Sequence, residues 1–115
     1  MGASQRRKGA AWERAVANAL KVVYAKAKRG FVQSRDARED CDVIGTPWWV
    51  ECKKGKRVNV LAALRQSIKD SDGRPPLVVV GQDREVPFVA MTLEDFLKLA
   101  EFGVSPVVRH PKEET

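Results

Sequence analysis

Apolar residues recur at helical spacing over residues 10–28, where Trp12, Val16, Ala19, Leu20, Val23 and Ala27 fall on one stripe and Arg14, Lys21 and Lys28 on the other side. The pattern predicts a first helix there, with Gly30 as its stop. Arg6-Arg7-Lys8 reads as a basic arm leading into it, because three cations sit badly at the positive end of a helix dipole. The period then shortens. Residues 31–34 predict a strand, 35–40 a polar loop, and 41–44 a second strand closed by the turn Gly45-Thr46-Pro47. Residues 48–53 form a third strand rich in aromatic and β-branched side chains, and so short a turn predicts an antiparallel hairpin.

A second helix is expected from Asn59, a good N-cap, to about Asp70, with Leu61, Leu64 and Ile68 as its apolar stripe. Residues 71–76 are a loop by composition, and 77–80 a continuous apolar strand of the kind covered on both faces. A charged loop at 82–87 precedes a last strand at 88–91. Thr92-Leu93-Glu94-Asp95 resembles a capping box and opens a third helix reaching about Phe102. The order αβββαββα argues for an α/β fold, one mixed sheet flanked by helices. At 115 residues this is one domain, 1–115, with a basic arm at 1–9 and a tail at 103–115.

Composition narrows the class. The apolar share of 43% is that of a soluble globular protein, no apolar run spans a bilayer, and the basic N-terminus lacks the apolar stretch of a secretory signal. The expectation is a cytoplasmic protein without membrane association. Cys41 and Cys52 have no metal-ligand spacing and one His110 cannot complete a zinc site, so the cysteines are expected as buried thiols. The net charge of +6 is concentrated in Arg6-Arg7-Lys8, Lys26-Lys28-Arg29 and Lys53-Lys54-Lys56-Arg57, which favours a polyanionic partner such as nucleic acid without separating binder from enzyme.

The chemistry is concentrated in the hairpin. Alternation along the third strand puts Glu51 and Lys53 on one side with Trp49, and Trp48, Val50 and Cys52 on the other. Asp42, at the start of the neighbouring strand, is within register of Glu51. Burying such charges is expensive unless they are paired or hold a metal. Two carboxylates can hold a hard divalent cation, and an ammonium beside it can orient a water or neutralise charge growing on a phosphate. A Glu-x-Lys pair on an exposed strand is otherwise a solvated ion pair of little consequence.

Asp42-Val43-Ile44 followed by Val50-Glu51-Cys52-Lys53 resembles the signature of PD-(D/E)xK nucleases, nearest to the archaeal-type Holliday junction resolvases that phages also carry. Lys8-Gly9 with Glu13-Arg14 is similar to that family's Lys-Gly…Glu-Arg opening, Gly30 to Arg35 to its Gly-Phe strand ending in Arg, and Gln66 to a Gln in its second helix. Cys41 stands where the broader signature has Pro, and the segment 35–40 is shorter than the flexible loop of many resolvases. The resemblance implies a restriction-endonuclease-like fold. It also implies Mg²⁺, with Mn²⁺ substituting, held by Asp42, Glu51 and the Cys52 carbonyl, with Glu13 reaching the metal through a water. Lys53 and Gln66 would complete the catalytic set, and Lys8, Arg14, Arg35, Lys54 and Lys56 would contact DNA phosphates. The implied substrate is a four-way DNA junction cut by a homodimer, in recombination or repair within a prokaryotic cell or a phage-infected host. The alternatives are another nuclease on the same fold, whether nicking, end-processing or in phage replication and repair, and a non-catalytic DNA-binding module.

Overall fold

The computed structural model describes residues 3–30 and 41–102. The expected strand at 31–34, the loop with Arg35 and the tail at 103–115 lie outside the described residues.

The first helix, α1 (Ala3–Leu20), lays Val16 and Ala17 against the sheet, with Trp12 and Leu20 partly buried beside them. Both of its ends differ from the expectation. Residues 6–8 belong to the helix and are not an arm, and the helix stops at Leu20, well short of residue 28. Beyond Leu20 come the β-branched pair Val22-Val23 and Tyr24, all poor helix formers. The chain turns there, and the Tyr24 hydroxyl accepts from Trp48 Nε1 at 2.9 Å. Ala27 still reaches the core, but Ala19 and Val23, expected on the stripe, are exposed. Gly30 is not a helix stop. It follows the first strand, β1 (Lys28–Arg29), at a point where a Cβ would collide with the Cys41 carbonyl.

Five strands lie in sequence order: β1, β2 (Val43–Ile44), β3 (Trp49–Gly55), β4 (Pro76–Gln82) and β5 (Phe88–Ala90). β2 and β3 form the expected antiparallel hairpin, with Val43 opposite Val50. β3 and β4 run parallel, which requires a crossover, and α2 (Val60–Asp70) supplies it. The remaining pairs are antiparallel. The fold is therefore α/β, a mixed sheet flanked by helices, in the order αβββαββα.

Two cores cover the two faces. Val43, Trp48, Val50 and Leu77 pack under α1, while Val78 and Val80 pack with Ala63 of α2. β4 is buried from both sides, as its unbroken apolar run requires. Asn59 caps α2 by accepting the Ala62 N–H at 3.0 Å. The buried face of α2 is not the expected Leu61/Leu64/Ile68 stripe: Leu61 and Ile68 are about half exposed, and Ala63 and Ser67 face the sheet. Small residues let the helix approach the valines closely, and the Ser67 hydroxyl is satisfied by the Ala63 carbonyl at 3.0 Å. α3 (Leu93–Glu101) begins at Thr92, whose hydroxyl accepts the Asp95 N–H, and none of its residues is buried. Among the described residues no helix is long and apolar enough to cross a membrane.

Candidate active site

The register of the hairpin builds the site. Val43 and Val50 face each other and are fully buried, so the next residues along the two strands, Asp42 and Glu51, leave the core together. The Asp42 N–H still donates to the Val50 carbonyl at 2.9 Å. Its side chain then takes over from the backbone: Oδ2 accepts the Cys52 N–H at 2.8 Å, which fixes the carboxylate against β3. Along β3, Glu51 and Lys53 sit in register with Val78 and Val80 of β4 and so share the α2 face, while Val50 and Cys52 turn toward α1. Lys53 Nζ lies 3.9 Å from Glu51 Oε2.

These acids are only partly neutralised. Burial pushes the Glu51 carboxyl up to about 7, the Asp42 charge adds to the push, and Lys53 opposes it. Asp42 is also raised, first by burial and further by the Glu13 charge, against the Cys52 N–H, Lys53 and Arg29. Glu13 enters from α1, and Arg29 Nε donates to its Oε1 at 3.0 Å. The Asp70 charge also reaches Glu51. The Cys52 thiol is driven up mainly by burial and stays protonated, so its backbone carbonyl is the oxygen it can offer.

Beside the acids lies a cleft of about 580 Å³ whose lining includes Lys8, Trp12, Glu13, Cys52, Lys53 and Lys56. Lys54 borders it too, with Nζ 5.2 Å from the Trp12 ring centroid. Trp12 can lie flat there because β4 carries Gly81; a Cβ at that position would be 2.8 Å from the ring. Its Nε1 donates to the Val79 carbonyl at 3.3 Å.

The structure thus brings Glu13, Asp42, Glu51, Cys52 and Lys53 together, with Lys8, Lys54 and Lys56 along the adjoining cleft. Gln66 does not join them. It is exposed, and its amide donates to both carboxylate oxygens of Asp70 at 3.0 and 3.1 Å. Arg14 is exposed on α1 and does not line the cleft. Arg35 lies outside the described residues. Sequence reasoning missed Arg29 and Asp70. Helical periodicity puts Arg29 just beyond the end of a helix, and only its place in β1 sets it beside Glu13. Nothing in the sequence marks Asp70 as a neighbour of Glu51.

Among the described residues no group of three or more His, Cys, Asp or Glu side chains forms a ready-made metal cage. The set present is two carboxylates and a carbonyl. All are hard oxygen donors, and their mutual repulsion is relieved by positive charge between them. That set fits Mg²⁺, which binds through one or two carboxylates and completes its shell with water and phosphate; it lacks the nitrogen and sulfur donors zinc prefers. Comparisons with family models, curated proteins and solved structures give no match, and the functional reading rests on this geometry together with the order of the motifs.

Proposed function

We propose that this chain is a Mg²⁺-dependent endodeoxyribonuclease of the PD-(D/E)xK type that cuts four-way DNA junctions as a homodimer, in the cytoplasm of a prokaryotic or phage-infected cell. The observation that carries the nuclease reading is the pairing of Asp42 with Glu51, both raised by burial and repulsion, beside the Lys53 ammonium and a cleft bordered by Lys8, Lys54 and Lys56.

Asp42, Glu51 and the Cys52 carbonyl are the groups that would hold the cation. Bound there, Mg²⁺ supplies a lowered pKa for water and neutralisation of charge on the reacting phosphate. Lys53 is the group with reach to orient the attacking water or balance the charge that develops in the transition state. Glu13, held by Arg29, adds negative potential near Asp42, which a bound cation would offset. Lys8, Lys54 and Lys56 hold phosphates and position the duplex without reading its sequence.

The choice of a junction rests on the motif resemblance. Paired symmetric incisions call for a two-fold dimer, and the exposed Phe96, Leu97 and Phe102 at α3 with Phe88 of β5 are apolar surface of the kind a dimer covers. The test is cleavage of a synthetic four-way junction with Mg²⁺. The expected result is symmetric cuts, linear duplex spared, and no product with Asp42→Asn. Binding of branched DNA with no cutting in Mg²⁺ or Mn²⁺ would overturn the enzyme reading; equal cutting of linear duplex would overturn the junction and leave a nicking or end-processing nuclease.

A further inference from the structure

We infer that the DNA strand passes over the end of β3 and seats a phosphate in a second hollow around Arg57, so that the backbone is gripped on both sides of the bond that is cut. The inference rests on the nuclease reading and extends it to the path of the DNA strand and to a residue outside the catalytic cluster.

The second hollow, of about 380 Å³, lies where β3 gives way to α2. Its lining includes Lys53, Lys54, Arg57, Asn59, Ala62 and Ala63. Lys53 and Lys54 line both hollows, so the end of β3 is a ridge between them, with cations on each slope. The two sides differ in charge. The first includes Glu13 and Asp83, whereas among the described residues no carboxylate lines the second. Among the described residues Arg57 makes no ion pair. Its neighbour is nonetheless held in place, because the Val58 N–H donates to Gln82 Oε1 at 2.9 Å. The alanines leave the floor open. An exposed guanidinium on a fixed segment, above an open floor without acids, suits a phosphate diester, which Arg engages through paired N–H donors. A mononucleotide would need a pocket for its base; the second hollow has no aromatic lining among the described residues, and in the first the single ring, Trp12, is covered by Lys54. A continuous polyanion crossing the ridge uses both.

The test reads binding without cleavage, with a fluorescent four-way junction and Ca²⁺ in place of Mg²⁺, titrated over a salt series. Arg57→Ala should weaken binding about three- to tenfold and lower the salt slope by about one, while Arg57→Lys, which keeps the charge without the paired donors, restores the slope but only part of the affinity. Lys98→Ala, which removes the same charge from α3, should leave both unchanged. Single methylphosphonate replacements, which neutralise one phosphate each, should reveal a position flanking the cut where the wild type loses affinity and Arg57→Ala loses none further. A slope equal to wild type in Arg57→Ala, or additive losses at every position, would overturn the inference. If DNA is cut normally and Arg57→Ala is silent, only the second hollow fails. If Arg57→Ala behaves as expected but Mg²⁺ never yields product, the nuclease reading fails and the binding track stands.

Discussion

Glu51→Gln should make the metal-free protein more stable, by an amount that grows with pH. The Glu51 carboxyl is raised from 4.5 to about 7. Below pH 4.5 it is protonated in both folded and unfolded chains and contributes no difference. Between 4.5 and 7 the unfolded chain releases the proton while the folded chain keeps it, so the folded state binds more protons and stability falls as pH rises. Above 7 both states are ionised and the penalty is complete. At about 1.36 kcal/mol per pH unit the full shift corresponds to roughly 3 kcal/mol. The side chain keeps 25% of its surface in solvent, which screens the charge, so an effect of about 1–2 kcal/mol is the working figure. Asp42 is raised in the same direction and adds to the slope.

The assay is thermal unfolding in EDTA from pH 5 to pH 8. At pH 5 the two proteins should melt within a few degrees of each other. At pH 8 Glu51→Gln should melt about 4–10 °C higher, as a change of this size implies for a chain of this length. Adding Mg²⁺ should raise the wild-type midpoint, since a ligand that binds only the folded state stabilises it, and should move the variant little. A difference that is flat with pH, or a variant less stable at pH 8, would refute the account of Glu51 as a desolvated acid repelled by Asp42.

Three further outcomes follow from the geometry. Lys53→Ala should lower the cleavage rate by about 10²-fold or more, with a loss of junction affinity no larger than that of one phosphate contact, as for loss of a group that acts on transition-state charge; single-turnover kinetics beside anisotropy separate the two, and full activity would remove Lys53 from the chemistry. Gly81→Ala should cost about 1–3 kcal/mol by overpacking, because the new Cβ would sit 2.8 Å from Trp12; urea unfolding with Trp fluorescence reads both the stability and the ring displacement. Asn59→Ala should cost about 1 kcal/mol through loss of the α2 cap, measured the same way and largely recovered by Asn59→Asp.

The parts of the fold with local causes were legible in the sequence. Asn59 at the start of α2, Thr92 before α3 and the Gly45-Thr46-Pro47 turn each act on the residues next to them, and the structure has the corresponding caps and hairpin. α1 misled because periodicity does not register where a helix ends: Ala27 is buried by a turn of chain and still lands on the helical repeat. The face of α2 misled for the opposite reason. Hydrophobicity favoured Leu61 and Ile68, but the distance between helix and sheet favoured Ala63 and Ser67, and that distance is a tertiary quantity. In the site, Glu51 and Lys53 followed from strand alternation. Arg29, sixteen residues from Glu13, and Asp70, on the helix that crosses over, depend on how distant elements dock.

The core and the site are set by the same register. Val43 and Val50 are fully buried opposite one another, and Asp42 and Glu51 are their immediate neighbours on the two strands. Because strand side chains alternate, a slip of one residue would turn a valine out and drive a carboxylate into the core under α1. The apolar pair therefore holds the acids in a place they would not choose for themselves, where burial raises both, Glu13 adds to the rise of Asp42 and Asp42 adds to that of Glu51. Local unfavourability sustained by a well-packed surround is what functional sites show. Here it leaves two half-desolvated carboxylates next to Cys52 and Lys53, which line the cleft, with one ammonium 3.9 Å from the second of them. On the proposed reading, a cation delivered with a phosphate would relieve that strain, and the register of two valines would make it available.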